Sequence, residues 1–376
     1  MKIVADDKIP FLKGALEPVA ELSYLPGGKI SRNELMDADA LLVRTRTRCN
    51  EALLAGTPVK FIATATIGFD HIDTSYCEKA GVFWTNAPGC NSSSVAQYIT
   101  SVLLNLACRH RISLQGRTLG VVGVGNVGSK VAKVGAALGM RVLLNDPPRA
   151  RAEGAGGFCD LSTILRESDF ITFHVPLCTE GSDKTFHMVT KDLISKMKHG
   201  AFLINSSRGE VVESAALLSA LEHKQLAGAV LDVWENEPEI DLKLLRALDI
   251  ATPHIAGYST DGKANGTAMS VRSLSKFFKL GLDQWSPSQV PLPPQTEFNI
   301  TSSNSFEDTM RRATALSYDV MSDDNALRSS PSTFEKQRGD YPLRREAPAF
   351  TLKMSPAINK EVANALSALG YLVRQG

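Results

Sequence analysis

The chain has 376 residues, 43% hydrophobic and 22% charged, which excludes a disordered or fibrous protein and leaves room for two or three domains. Lys and Arg number 41 against 40 Asp and Glu, so the formal net charge is +1 and nucleic acid is excluded as a main partner, since binding it needs a basic surplus. Six scattered cysteines form no Cys-x-x-Cys pair, and the opening MKIVADDKIPF has no apolar signal core; the expectation is a reduced, cytoplasmic protein.

Residues 1–95 alternate short apolar runs with polar punctuation. KIVA (2–5), ALLVR (40–44), KFIATA (60–65) and GVFWT (81–85) read as buried strands, and the helix-length spacers between them give the cadence of a parallel α/β sheet. Ser92 opens a helix whose apolar positions Val95, Ile99, Val102, Leu103 and Leu106 share one face. The longest uncharged stretch, residues 80–108, contains Pro88, Gly89 and three consecutive serines, so it cannot cross a bilayer as one helix, and no membrane association is expected.

From Gly116 the rhythm restarts. TLGVVGVG, MRVLLND, FITFHVP, AFLINSS, AGAVLDV and DIATPH are six strand candidates, the number a complete dinucleotide-binding sheet needs. SPSQVPLPP (286–294) holds four prolines in nine residues and marks a stiff linker. In the tail beyond it, MRRATALSYDVM and NKEVANALSALGYLV read as helices and AFTLKM as a strand.

Gly123-Val124-Gly125-Asn126-Val127-Gly128 follows a strand and opens a helix. The first glycine permits a tight turn, the second lets backbone approach a pyrophosphate, and the third allows close helix–strand packing, with the helix N-terminus meeting negative charge. Asp146 stands 18 residues after the last glycine, at the end of the next strand, where it can accept from a ribose and repel a 2′-phosphate. That favours NAD over NADP, although Arg149 and Arg151 close by pull the other way.

Three further segments place polar groups after strands. LINSSRGEVVE carries Arg208, whose rigid fork matches a carboxylate; LDVWENEP carries Glu237; TPHIAGYS carries His254. Singly, each is as well explained by a surface arginine, a solvated acidic loop or a core histidine; together, downstream of a nucleotide fingerprint, they point to chemistry. Arg44-Thr45-Arg46-Thr47-Arg48 sets alternate cations and hydroxyls at a strand end, a pattern suited to a phosphate and equally to an exposed basic loop. His174 and His187 lack companions at ligand spacing, so no metal site is expected.

These segments, with IGFDHID (67–73), NAPGCNSSSVAQY (86–98), SDFITFHVPL (168–177) and KHGAFLINSSRGEVV (198–212), resemble the D-isomer-specific NAD-dependent 2-hydroxyacid dehydrogenases over roughly residues 1–285. The tail after the proline linker is similar to that of the branch whose members oxidise a phosphorylated 2-hydroxy acid in vitamin B6 coenzyme synthesis. The departures are small: Glu213 replaces Asp or Asn, and Trp234 replaces Phe or Tyr.

The resemblance implies two Rossmann-like or flavodoxin-like α/β lobes and a small C-terminal α+β domain. The substrate lobe would be discontinuous, 1–95 and 257–285, the NAD-binding domain would span 96–256, and 286–376 would be a homodimerisation domain. It implies that His254 takes the substrate hydroxyl proton, that Glu237 orients it, and that Arg208 clamps the carboxylate. Implied cofactor contacts are Gly123, Gly125, Asn126, Val127, Gly128, Asp146, Val175, Ser206, Ser207, Asp232 and Gly257. Implied substrate contacts are Thr45, Thr66 and Tyr258, beside Arg44 and Arg46 from the cation pattern. Arg344 and Arg345 in the tail are candidates to reach a partner's site. Phosphoglycerate or another 2-hydroxy acid remains an alternative substrate, and a non-catalytic NAD sensor an alternative of another class.

Overall fold

The computed structural model describes residues 1–375. The chain divides into two compact units, one formed by 1–91 and 259–291, the other by 92–258 and 292–375. In the first, β1 (Lys2–Asp6), β2 (Glu21–Leu25), β3 (Ala40–Val43), β4 (Phe61–Thr64) and β5 (Phe83–Thr85) form an all-parallel sheet in the order β2-β1-β3-β4-β5. The central strands β3 and β4 are wholly buried, as parallel strands covered on both faces must be.

The second unit holds a six-stranded parallel sheet of β6 (Thr118–Val122), β7 (Arg141–Asn145), β8 (Phe170–Phe173), β9 (Ala201–Asn205), β10 (Leu226–Leu231) and β11 (Ile250–Ala251), ordered β11-β10-β9-β8-β6-β7. Both sheets therefore start centrally, step outward once, then reverse, which is the doubly wound pattern with one topological switch point each. The switch lies between β1 and β3 in the first sheet and between β6 and β8 in the second. Ligands of such sheets bind beyond the carboxyl ends of the strands at these points.

The tail adds a parallel sheet ordered β12 (Glu297–Ile300), β13 (Thr351–Met354), β14 (Leu372–Gln375). The segment read as one helix from residue 310 to 321 is two, Phe306–Ala315 and Val320–Ser329, because the Asp319 carboxylate caps the second by accepting from the Met321 N–H. The last helix stops at Ala368, and Gly370 at φ +95° turns the chain into β14. The tail shares a hydrophobic core with the six-stranded sheet: Val95, Tyr98 and Ile99 pack in one cluster with Met310, Tyr318 and Phe350. Arg344 is buried there, donating to the Gln97 side chain and the Ser94 carbonyl and lying 3.6 Å from the Tyr318 ring centre. Its guanidinium is thus engaged inside its own chain, and the expectation that it reaches a partner is corrected. Among the described residues no helix is long and apolar enough to cross a membrane.

Candidate active site

At the switch point of the six-stranded sheet, β6 runs into the glycine turn. Gly123 has φ +85°, and a Cβ there would lie 2.6 Å from the His174 carbonyl oxygen; a Cβ on Gly128 would collide with the Gly123 carbonyl. Gly125 caps the helix Asn126–Ala137 and has open space where its side chain would be, so this backbone is approachable from outside. Asn126 is exposed and Val127 half-buried in the first turn. The exposed amide end of a helix, with no side chain over it, suits a pyrophosphate.

Asp146 follows β7 and accepts from the Val124 N–H at 2.8 Å and the Arg149 N–H at 3.0 Å, locking the glycine turn to the end of β7. Arg149 is paired with Glu153 and Arg151 with Asp183, so both nearby cations already face carboxylates and neither argues for a 2′-phosphate. Around the turn, Val175 packs against Gly123, and two buried polar atoms at strand ends, His174 Nδ1 and Ser206 Oγ, have no hydrogen-bond partner. Burial drives the His174 imidazole down to about 3, keeping it neutral. Unpaired buried groups are rare, and a cofactor's polar edge is the kind of partner they fit. The Ser207 hydroxyl, by contrast, donates to Asn205 Oδ1 at 2.7 Å.

β9, β10 and β11 deliver the chemical groups. Arg208 follows β9, its Nη1 donating to the Ser207 carbonyl and its own carbonyl accepting from Asn205 Nδ2. The next residue must be glycine: a Cβ on Gly209 would run into the Trp234 carbonyl, so the Arg208 turn lies flat against the loop after β10. In that loop the two glutamates part. Glu235 takes His187 Nε2 at 2.6 Å and the Ser214 N–H at 2.7 Å. Glu237 accepts from the Trp234 N–H at 2.9 Å through Oε1 and from His254 Nδ1 at 2.8 Å through Oε2. Burial pushes the Glu237 carboxyl up, but the imidazole and the Trp234 amide outweigh it and leave it below the ordinary glutamate range.

His254 occupies the left-handed region at φ +56°, a strain of about 1–3 kcal/mol for a non-glycine residue. What holds it is Asp232. The Asp232 carbonyl accepts the His254 N–H at 2.6 Å, and the carboxylate, 1% exposed, accepts from Thr252 Oγ1 and the Ile255 and Ala256 N–H groups at 2.7, 2.8 and 2.9 Å. Burial raises the Asp232 carboxyl. Thr252 also hydrogen-bonds Tyr98, and its carbonyl accepts from Trp234 Nε1, a bond that phenylalanine at 234 would not supply. Gly257 and Tyr258 follow directly, with the Tyr258 N–H on the Ile255 carbonyl. Asp232, read from sequence as a cofactor contact, is the hub of this loop. Thr252 and Gly209 were not singled out, because their partners lie 18 or more residues away in the chain.

In the smaller unit the strand ends are built differently. Arg44 follows β3 and donates Nη1 to the Lys8 carbonyl just beyond β1, at 3.2 Å, so it crosses that sheet's switch point. Thr45, Arg46 and Arg48 are exposed, whereas Thr47 is buried on the Gly27 carbonyl. Thr66, beyond β4, shares its hydroxyl with Thr64 Oγ1 at 2.7 Å and the Gly68 carbonyl at 2.9 Å. Lys263, in the first turn of the helix Thr260–Phe278, was not foreseen; burial and the adjacent Arg44 charge hold its amine below the ordinary lysine range. Among the described residues no three His, Cys, Asp or Glu side chains gather as a metal set.

The arrangement can remove a proton at His254, hold a carboxylate at Arg208 and seat a dinucleotide on the glycine turn. Comparison with known proteins identifies the family. Residues 104–256 match the D-isomer specific 2-hydroxyacid dehydrogenase, NAD binding domain, and 290–370 match a domain of unknown function, DUF3410. Erythronate-4-phosphate dehydrogenase of Bacteroides fragilis is 51% identical over 94% of this chain and 99% of its own. The Escherichia coli enzyme of that name is 44% identical over 99% of this chain and 98% of its own. D-lactate dehydrogenase from Aquifex aeolicus, solved with NAD and lactic acid, superposes with a TM-score of 0.62 at 32% identity, covering 76% of this chain and 97% of that one. With half its residues identical along nearly the full length of such relatives, the chain belongs to the erythronate-4-phosphate dehydrogenase branch of the D-isomer-specific 2-hydroxyacid dehydrogenase family.

Proposed function

We propose that the protein oxidises 4-phospho-D-erythronate to 3-hydroxy-2-oxo-4-phosphobutanoate, with NAD as acceptor, in pyridoxal 5′-phosphate synthesis. The observation that carries the chemistry is the 2.8 Å bond between His254 Nδ1 and Glu237. It fixes the tautomer with the proton on Nδ1 and leaves Nε2 to accept the proton of the substrate hydroxyl. Glu237 stabilises the imidazolium that results. Arg208 holds the carboxylate and draws electron density from the oxygen that becomes a carbonyl. NAD, when bound, supplies the hydride acceptor at its nicotinamide ring. Gly123, Gly125 and Gly128, with Asn126 and Val127, would hold its phosphates, Asp146 its adenosine ribose, and His174, Val175 and Ser206 the polar edge beyond them.

In this reading the smaller unit recognises the substrate, with Arg44, Thr45, Arg46 and Thr66 toward the phosphate end, and Tyr258 is a further expected substrate contact. The tail would serve a homodimer, a role supported by its exposed Leu316, Leu343 and Leu372 and by the open edges of its three-stranded sheet.

NADH absorbance with 4-phosphoerythronate, 3-phosphoglycerate and D-lactate as alternative donors tests the activity. The expected result is a kcat/KM highest for 4-phosphoerythronate. Preference for another acid would move the chain to a different substrate, and NAD binding without turnover of any would make it a sensor. Sedimentation of the intact chain tests the dimer.

A further inference from the structure

Three consecutive residues of the tail, Arg344, Arg345 and Glu346, are fastened to the start of the helix Ser92–His110. Arg344 Nη2 donates to the Ser94 carbonyl at 2.7 Å and Nε to Gln97 Oε1 at 2.9 Å. The Arg345 carbonyl accepts from Gln97 Nε2 at 3.1 Å, and Glu346 Oε1 takes the Ser94 hydroxyl at 2.8 Å. The third nitrogen of the Arg344 fork reaches the loop after β11. Nη1 donates to the Ile255 carbonyl at 3.4 Å and to the Ala256 carbonyl at 3.3 Å, the two residues that follow His254.

The N–H groups of those same two residues are held by the Asp232 carboxylate. Two successive buried residues thus have their N–H groups on an acid and their carbonyls on a guanidinium. His254 directly precedes them in the left-handed region, a conformation that persists only where the surroundings over-determine it. Only arginine suits this place. Its planar fork carries donors on three nitrogens, so Nε and Nη2 can stay on the helix while Nη1 serves the loop, whereas lysine has one nitrogen for both tasks. The Tyr318 ring, its centre 3.6 Å away, further fixes the guanidinium. An apolar side chain of the same size would fill the space and take the donor away from the Ala256 carbonyl.

We infer that Arg344, contributed by the tail rather than by the dehydrogenase sheets, is a positioning residue for the proposed acid–base pair. It ties the loop that carries His254 to the start of the helix Ser92–His110 by its carbonyls, as Asp232 holds it by its N–H groups. The inference rests on the dehydrogenase reading, and it gives the tail a part in chemistry that a purely assembling domain would not have.

The test compares wild type with Arg344→Lys in the full chain by two readouts. The first is amide hydrogen exchange by mass spectrometry. Exchange over residues 252–258 should quicken about tenfold or more, with β6, β8 and β9 unchanged. The second is the kinetics of 4-phosphoerythronate oxidation, normalised to the NAD-binding sites titrated. A loosened His254 should lower kcat about 10–100-fold and leave the KM for NAD within about twofold. With substrate deuterated at C2, the isotope effect on kcat should be at least the wild-type value, because the slowed step is hydride transfer. Gln97→Met, at a half-buried position, removes only the Nε acceptor of the fork. It should give the same local exchange and a severalfold fall in kcat, and it carries the test should Arg344→Lys fail to fold.

An arginine that serves stability alone would give exchange that rises uniformly and a normal kcat per binding site. Either result overturns the inference, as does unchanged exchange over 252–258 or an isotope effect that falls. A wild-type chain that turns over no 2-hydroxy acid overturns the functional reading instead, and the exchange still reports whether Arg344 holds the loop.

Discussion

The two switch points share one sheet topology and differ in how their strand ends are satisfied. Beyond β10 and β11, nearly every polar group has a fixed internal partner: Asp232 holds Thr252, Ile255 and Ala256, and Glu237 holds Trp234 and His254. Beyond β3, cations stand on a short, half-exposed loop, with Arg44 tied by one bond to the Lys8 carbonyl and Lys263 crowded beside it. Chemistry that moves a proton needs a ring held to a few tenths of an ångström, whereas recognition of a dianion tolerates motion, because charge acts over several ångströms. The first end should therefore govern kcat and the second KM.

The largest effect expected is on His254→Ala, a fall in kcat of roughly 10²–10⁴-fold with KM little changed, read from steady-state NADH formation. A variant that instead raised KM with normal kcat would reverse the roles given to the two ends. Asp232→Ala should follow. It strands the buried Ile255 and Ala256 N–H groups and loosens the loop that carries His254, so about 3 kcal/mol of stability should be lost, measured by urea unfolding. Wild-type stability in that variant would mean that the loop is held by something other than Asp232.

The joint replacement Arg44→Ala and Arg46→Ala should raise KM for phosphorylated acids about tenfold or more, with kcat within a fewfold. An equal rise for unphosphorylated acids would remove the phosphate from this end. Glu237→Gln sharpens the contrast through pH. The Glu237 carboxyl is held below its ordinary range in the folded chain, so it stabilises the fold above the unfolded carboxylate pKa. That contribution is lost as pH falls through the lowered folded value. The variant should therefore be less stable than wild type near pH 7, by roughly 1–2 kcal/mol, and the gap should close in acid. A gap that widened toward low pH would contradict the sign.

Much of this was visible in the sequence where residues were apolar or clustered. The buried strands β3, β4, β6, β8 and β9 announce themselves as apolar runs, and GVGNVG with Asp146 marks the nucleotide turn. Three of the edge strands were not visible: β2, β12 and β14 are short and half-exposed, so ELSYL, EFNI and LVRQ carry neither a run nor a clean alternation. The same limit applied to the site. Arg208, Glu237 and His254 sit in recognisable segments, but the supports around them, Thr252 and Gly209, act on residues 18 or more positions away, a proximity that only the folded chain creates.

The smallest effect expected lies at Thr66, and it bears on which end is rigid. Its hydroxyl makes two internal bonds, to Thr64 at 2.7 Å and to the Gly68 carbonyl at 2.9 Å. If recognition there tolerates motion, Thr66→Val should cost about 1 kcal/mol in stability and raise KM only a fewfold, with kcat untouched. Titration of kcat and KM against 4-phosphoerythronate distinguishes this from the opposite case. A fall in kcat comparable to that of His254→Ala would mean that the smaller unit's strand end also positions the reacting carbon, and that cations alone do not describe its task.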